Sequence, residues 1–245
     1  MATDTISNEE LEAIATEVRA AVENLVTEDD VPVDNVFSEK QQRLLTEPLF
    51  ASWQGPGQER SFVAMANVGL FFALRRPPLV PDVLLSMGVK LPADVRLKHN
   101  RSYFVWEYGG KAPEVVIEVV SNREGGEDTG KLTTYAEIGI RYYVIYDPDR
   151  MLGADPLRVY RLEGLRFHRL DEPIWFSEVG LGLSLWQGCY EDMDATWLRW
   201  VDAAGTPVPT GRERAEAERQ RADEERQRAE RLAAQLRQLG VEPQA

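Results

Sequence analysis

The chain has 245 residues, of which 43% are hydrophobic and 28% charged, and this composition predicts a globular cytoplasmic protein. Its longest apolar stretch (63–74) is too short for a membrane span, and its acidic, polar start does not resemble a signal peptide. One cysteine and two histidines exclude an internal disulfide and a cysteine-built zinc site, and they argue against a metal site made of several histidines. The net charge of -13 lies mostly in residues 1–39, which carry 11 acids and one arginine, so a local basic surface on the rest of the chain remains open. The rest of the chain is still weakly acidic, and strong non-specific affinity for DNA is not expected from that balance.

Two helices are predicted before residue 54. Residues 9–26 have apolar side chains three or four positions apart, which is typical of an amphipathic helix, and Ser7 with Glu10 matches a capping box. A second helix is predicted from Ser38 to about Trp53, with Pro48 as a point where it kinks or shortens.

The middle of the chain predicts strands around one further helix. Strand patterns occupy residues 62–74, 79–85, 102–107, 115–120, 141–146 and 197–201, and a hairpin joins 157–162 to 165–170 through Glu163-Gly164. A helix is predicted over 128–138, with Gly139 as its stop. This order favours an α/β or α+β layered domain built on one mixed sheet.

The end of the chain predicts a linker and a long helix. Residues 205–211 are rich in glycine and proline. Near-identical seven-residue repeats follow, in which one heptad position is occupied by Ala215, Ala222, Ala229 and Leu236. We expect either a homo-oligomer, a dimer or trimer, formed through residues 212–239, or a solvated helix held by charge pairs. The predicted division is an acidic N-terminal helix region (1–35), a main domain (36–204), a linker (205–211) and a C-terminal helix (212–245).

The loop at 125–131 fits the spacing of a phosphate-binding loop, G-x-x-x-x-G-K, between a strand and a helix. Two residue types count against that interpretation. Leu132 stands where a magnesium-binding hydroxyl is needed, and Glu127 and Asp128 would face a triphosphate at a cost on the order of 4 kcal/mol for each close like-charge contact. A nucleotide hydrolase is therefore the weakest of the functions considered.

Glu118 lies inside an apolar strand and shares one face with Val116 and Val120. A strand this apolar is usually covered on both faces, and an unpaired carboxylate there would cost several kcal/mol. It needs a cationic partner, either a lysine or a metal ion. Lys131, on the first turn of the next helix, can fold back towards the strand, and Tyr135 lies four residues further along the same helix face.

A second acid, Asp82, follows Pro81 in another short apolar strand. Two carboxylates on neighbouring strand ends with a lysine nearby would make an all-oxygen site for Mg²⁺ or Mn²⁺. Such an ion polarises a phosphodiester and lowers the pKa of a bound water, and the lysine stabilises developing charge.

These residues resemble the PD-(D/E)XK nuclease superfamily. Pro81-Asp82, then 117–121 (Ile-Glu-Val-Val-Ser), then Lys131 and Tyr135 before Gly139, are most similar to its bacterial Uma-type restriction-endonuclease group over roughly 36–200. The resemblance implies a restriction-endonuclease-like mixed central sheet flanked by helices, and divalent-metal-dependent cleavage of DNA.

By the same resemblance, Asp82 and Glu118 would be metal ligands, the carbonyl of Val119 a third ligand, and Lys131 the catalytic lysine. The superfamily pattern places the lysine two residues after the acid, where this chain has Val120, and the Uma-type group resembles a version in which the following helix supplies it. The superfamily often takes a further acid from an early helix, and Glu39 is the candidate for it here. Glu114, on the Glu118 face at the strand entrance, and Tyr135, four residues after Lys131, are additional candidates.

Two functions of different classes follow. The first is a metal-dependent DNA endonuclease. The second is a binding or assembly module that keeps the nuclease fold without catalysis and oligomerises through its C-terminal helix.

Overall fold

The structure is a computed structural model that describes residues 8–22, 35–53, 55, 61–121 and 130–238. The predicted capping box at Ser7 and most of the 125–131 loop lie outside these residues. Within them, no helix has the length and apolar character that a membrane span requires.

The helices in the described ranges are α1 (Asn8–Val22), α2 (Val36–Pro48), α3 (Gly130–Ile138) and α4 (Gly211–Gln238). The strands there are β1 (Phe62–Ala66), β2 (Leu70–Phe71), β3 (Val83–Met87), β4 (Tyr103–Phe104), β5 (Val115–Val119), β6 (Tyr142–Tyr146), β7 (Leu157–Glu163), β8 (Arg166–Leu170), β9 (Ile174–Phe176), β10 (Leu181–Tyr190) and β11 (Met193–Val201).

The central sheet is mixed, as the sequence predicts. Across the described strands its order is β1-β3-β5-β6-β7-β8. Strands β5 and β6 run parallel, joined by the segment that contains α3, and the other neighbouring pairs are antiparallel. The architecture is consistent with a restriction-endonuclease-like fold.

Both faces of the central sheet are covered, which explains the near-continuous apolar run of β5. One face, carrying Val115 and Ile117, packs against α2 and a smaller sheet of order β11-β10-β9. The opposite face, carrying Val116 and Val120, packs against Tyr135 of α3. Glu118 belongs to the α3 face by strand alternation.

Helix α2 begins two residues before the predicted start. Asn35 accepts a hydrogen bond from the main-chain N–H of Ser38 at 3.0 Å, so it caps the helix and moves the start to Val36. Pro48 ends the α-helical hydrogen bonding, and Leu49–Trp53 continues as a π-helical turn.

The sheet of β9, β10 and β11 is largely missed by the sequence prediction, which identified only residues 197–201. Its long hairpin turns at Glu191 and Asp192, whose φ angles of 46° and 64° are positive, as a type I′ turn requires. Gly182 of β10 is needed for pairing with β9, because an added Cβ would collide with the main-chain oxygen of Ile174.

The predicted linker packs against β11. Val208 donates its N–H to the carbonyl of Trp200 at 2.8 Å, and the side chains of Val208 and Thr210 are buried. Helix α4 then begins at Gly211, and Glu213 in its first turn binds the guanidinium of buried Arg199 at 2.7 and 2.9 Å. The start of the predicted C-terminal helix is therefore fixed to the main domain.

We expect Glu213→Gln to lower the melting temperature at neutral pH. The expected loss in the free energy of unfolding is about 1 kcal/mol, because the site is partly solvated. Burial by itself would raise the pKa of Glu213, but hydrogen bonds from Arg199 and Thr210 outweigh it and hold this pKa below its ordinary value of 4.5. The contribution is therefore complete above about pH 4.5 and is lost as the pH falls further. Thermal unfolding at several pH values measures this, and a gap from wild type that stays constant down to pH 3 would contradict it.

Candidate active site

Asp82 and Glu118 meet at one edge of the central sheet. Val83 pairs with Ile117 in the antiparallel register of β3 and β5, so Asp82, one residue before β3, lies next to Glu118. Relative exposure is 7% for Asp82 and 2% for Glu118. Two carboxylates distant in the sequence are thus neighbours in the fold and largely removed from water.

Each carboxylate oxygen of Asp82 accepts a hydrogen bond. Its Oδ2 accepts from the main-chain N–H of Val119 at 2.6 Å. Its Oδ1 accepts from Nε2 of Gln42 on α2, also at 2.6 Å. The first bond links Asp82 directly to the residue that follows Glu118.

Glu118 is held by the first turns of α3. The ammonium of Lys131 donates to Oε2 at 3.0 Å, and the hydroxyl of Tyr135 donates to Oε1 at 2.6 Å. Because Lys131 and Tyr135 are four residues apart, they lie on one helix face and reach the same carboxylate. This pair accounts for a charged residue inside an apolar strand.

Tyr135 is a neutral hydrogen-bond donor in this site. Burial raises the pKa of Tyr135 well above its ordinary value. The charge of Glu118 and the hydrogen bond to Glu118 raise this pKa further, and the charge of Asp82 adds a smaller effect. The phenol therefore keeps its proton throughout the physiological range and directs it at Glu118.

The acid proposed from the early helix does not join this cluster. Glu39 has a side chain that is 55% exposed and forms a salt bridge with Arg43 at 2.8 Å. Three residues further along α2, it is Gln42 that contacts Asp82. The sequence analysis did not identify Gln42. The sequence feature that could have indicated it is a pair of polar residues on a helix face that otherwise carries leucines.

Glu114 also lies away from the cluster. It precedes β5, four residues before Glu118, which corresponds to about 13 Å along an extended strand. There it accepts a hydrogen bond from the N–H of Met87 at 2.7 Å and pairs with Lys111. Its contacts stabilise the opposite end of the sheet.

The donor set fits a hard divalent cation. Asp82 and Glu118 lie side by side at the sheet edge, and carboxylate oxygens are among the ligands that Mg²⁺ and Mn²⁺ prefer. The described residues contain no group of three or more His, Cys, Asp or Glu side chains that could hold an ion. Among the described residues, a main-chain oxygen such as the Val119 carbonyl would be a third ligand, and water would complete an all-oxygen coordination that suits Mg²⁺ and Mn²⁺.

Comparison with known proteins identifies the family of the chain. No curated protein matches the chain. A family model, Uma2, described as "Putative restriction endonuclease", matches residues 26–186, about two thirds of the sequence, and the matched segment contains Asp82, Glu118 and Lys131. The chain therefore belongs to the Uma2 family, within the PD-(D/E)XK nuclease superfamily.

Proposed function

We propose that this protein is a divalent-metal-dependent DNA endonuclease that hydrolyses phosphodiester bonds. The observation that carries the proposal is the convergence of Asp82, Glu118 and Lys131 at one sheet edge, with both acids buried. Membership of a restriction-endonuclease family supports a nuclease role in general.

The residues have separate roles in this proposal. Asp82, Glu118 and the Val119 carbonyl would hold Mg²⁺ or Mn²⁺, which when bound supplies Lewis-acid polarisation of the phosphate and a more acidic water. Lys131, whose ammonium lies 3.0 Å from Glu118, orients the attacking water or stabilises the charge that develops on the phosphate oxygens. Tyr135 fixes the orientation of Glu118 through its hydrogen bond.

The local basic surface that the sequence leaves open is offset by an acidic helix. Residues 90–101 carry a net charge of +3, but α1, whose residues 8–22 carry a net charge of -3, packs against this loop at Lys98–Asn100. The proposal of DNA as the partner therefore rests on the family and on the proposed metal site rather than on surface charge.

Cleavage of supercoiled plasmid by the full-length wild-type protein tests the proposal. We expect nicked or linear products with Mg²⁺ or Mn²⁺ and intact plasmid with EDTA. Plasmid that stays supercoiled in both metals, from a preparation with a cooperative thermal transition, would count against an active nuclease.

One observation favours the alternative, a catalytically silent assembly module. No residue of α4, which is described from Gly211 to Gln238, is buried, and Leu232 and Leu236 are among its exposed side chains. An oligomer formed through residues 212–239 would cover them. Light scattering on the full-length chain and on a chain ending at residue 220 measures this. An oligomer lost on truncation, together with intact plasmid, would favour the module.

A further inference from the structure

Gln42 is a buried polar side chain next to the proposed metal site. Its residue exposure is 7%, and its amide nitrogen donates to Asp82 over 2.6 Å. Burying an amide costs free energy unless hydrogen bonds compensate for it, so a leucine or methionine would serve simple packing better at this position. The contact with the Asp82 carboxylate indicates a role beyond packing.

The geometry around Asp82 indicates what that role is. An aspartate side chain has two rotatable bonds, and one hydrogen bond leaves its carboxylate free to turn. Val119 holds Oδ2 from β5 while Gln42 holds Oδ1 from α2, so the carboxylate is fixed from two different elements. Hydrogen bonds to an ionised carboxylate are shorter and stronger than bonds between neutral groups.

Helix α2 presents Gln42 from a firmly held position. The indole N–H of Trp200 donates to the carbonyl of Leu45 at 2.7 Å, and both residues are buried in the core. A donor on such a helix keeps its place when a ligand enters the site, whereas a donor on a mobile loop would not.

The neighbouring residue shows what a structural glutamine does in the same helix. Gln41 is fully buried, and its amide donates to the carbonyl of Leu198 at 2.8 Å and accepts from the N–H of Leu198 at 2.9 Å. It therefore joins α2 to the main chain of β11. The two adjacent glutamines of α2 therefore bind different partners. Gln41 binds the main chain of β11, and Gln42 binds the Asp82 carboxylate.

We infer that Gln42 is a positioning residue that orients the Asp82 carboxylate for a divalent cation, an inference that rests on the proposed function of Asp82 as a metal ligand. Residues that orient metal ligands typically change metal affinity by about 10- to 100-fold when they are replaced. Gln42 does not need to touch the metal or the DNA to have this effect.

The test is isothermal titration of Mn²⁺ into the full-length protein carrying Gln42→Met, which keeps the length of the side chain and removes its donor. We expect the Kd for Mn²⁺ to rise about 10- to 100-fold. Gln42→Asn, which keeps the amide but withdraws it by one methylene group, should change the Kd in the same direction. The matched control, Gln41→Met, should lower the melting temperature and leave the Kd at the wild-type value.

The outcomes separate this inference from the proposed function. Normal Mn²⁺ binding by wild type, with an unchanged Kd in both Gln42 variants, would overturn the inference and leave the proposed function standing. An equal rise in Kd for Gln41→Met would also overturn it, because any disturbance of α2 would then suffice. Absence of Mn²⁺ binding by folded wild-type protein would overturn both.

Discussion

Lys131→Met is expected to slow plasmid cleavage by about 100- to 1,000-fold, the usual cost of removing one preorganised donor from developing negative charge. Methionine keeps the length of the aliphatic chain but leaves Glu118 without the ammonium that lies 3.0 Å from its Oε2. Asp82→Ala should reduce cleavage at least as much, because it removes a proposed metal ligand. Single-turnover rates with Mg²⁺ in excess measure both effects.

The chain offers a matched control for the lysine. Lys111 forms an ion pair with Glu114 close to the start of β5, so Lys111→Met removes a lysine from a lysine–glutamate pair at the other end of the same strand. We expect wild-type cleavage from this variant. Equal rates for Lys131→Met and Lys111→Met would exclude Lys131 from the chemistry.

Mg²⁺ or Mn²⁺ is expected to raise the melting temperature of the wild-type protein, because the ion binds only the folded chain. At a concentration of about 100 times Kd, the stabilisation is about 2.7 kcal/mol, which corresponds to about 5–10 °C for a chain of this size. Asp82→Asn should abolish this shift, since it replaces a charged ligand by a neutral one. Differential scanning fluorimetry with and without the ion measures it.

The same substitution should leave the metal-free protein about as stable as wild type. It removes one of two adjacent carboxylates, and the Gln42 amide can turn so that its oxygen accepts from the new amide. Asp155→Asn is the control, because Asp155 is exposed and pairs with Arg169 on the surface. Asp155→Asn is expected to keep the full metal shift, and a shift of the same size in Asp82→Asn would remove Asp82 from the proposed site.

The sequence was sufficient to predict the parts of the site that lie on one strand and the helix after it. A carboxylate in an apolar strand requires a partner, and Lys131 and Tyr135 were the candidates within reach, four residues apart on one helix face. The structure brings both to Glu118. Whether they act in catalysis remains a prediction.

The contacts between distant elements were harder to predict. Gln42 meets Asp82 only because α2 packs over the sheet with a particular rotation about its axis, and a periodic pattern alone does not specify that rotation to within one residue. Glu39 is a candidate because the superfamily often takes an acid from an early helix, but in this fold its carboxylate faces solvent and Arg43. The hairpin of β10 and β11 was obscured because β10 contains glycines and alternates weakly between buried and exposed positions.

The position of the lysine on α3 affects when during folding the proposed active site forms. In a strand that carried both acid and lysine, the two charges would be adjacent as soon as that strand formed. In this chain residue 120 is a buried valine. The Lys131 ammonium reaches its partner only when α3 packs onto the sheet. A newly made or partly unfolded chain in which α3 has not yet packed onto the sheet would lack the contact between Lys131 and Glu118, so the proposed cleavage of DNA would begin only after this packing step.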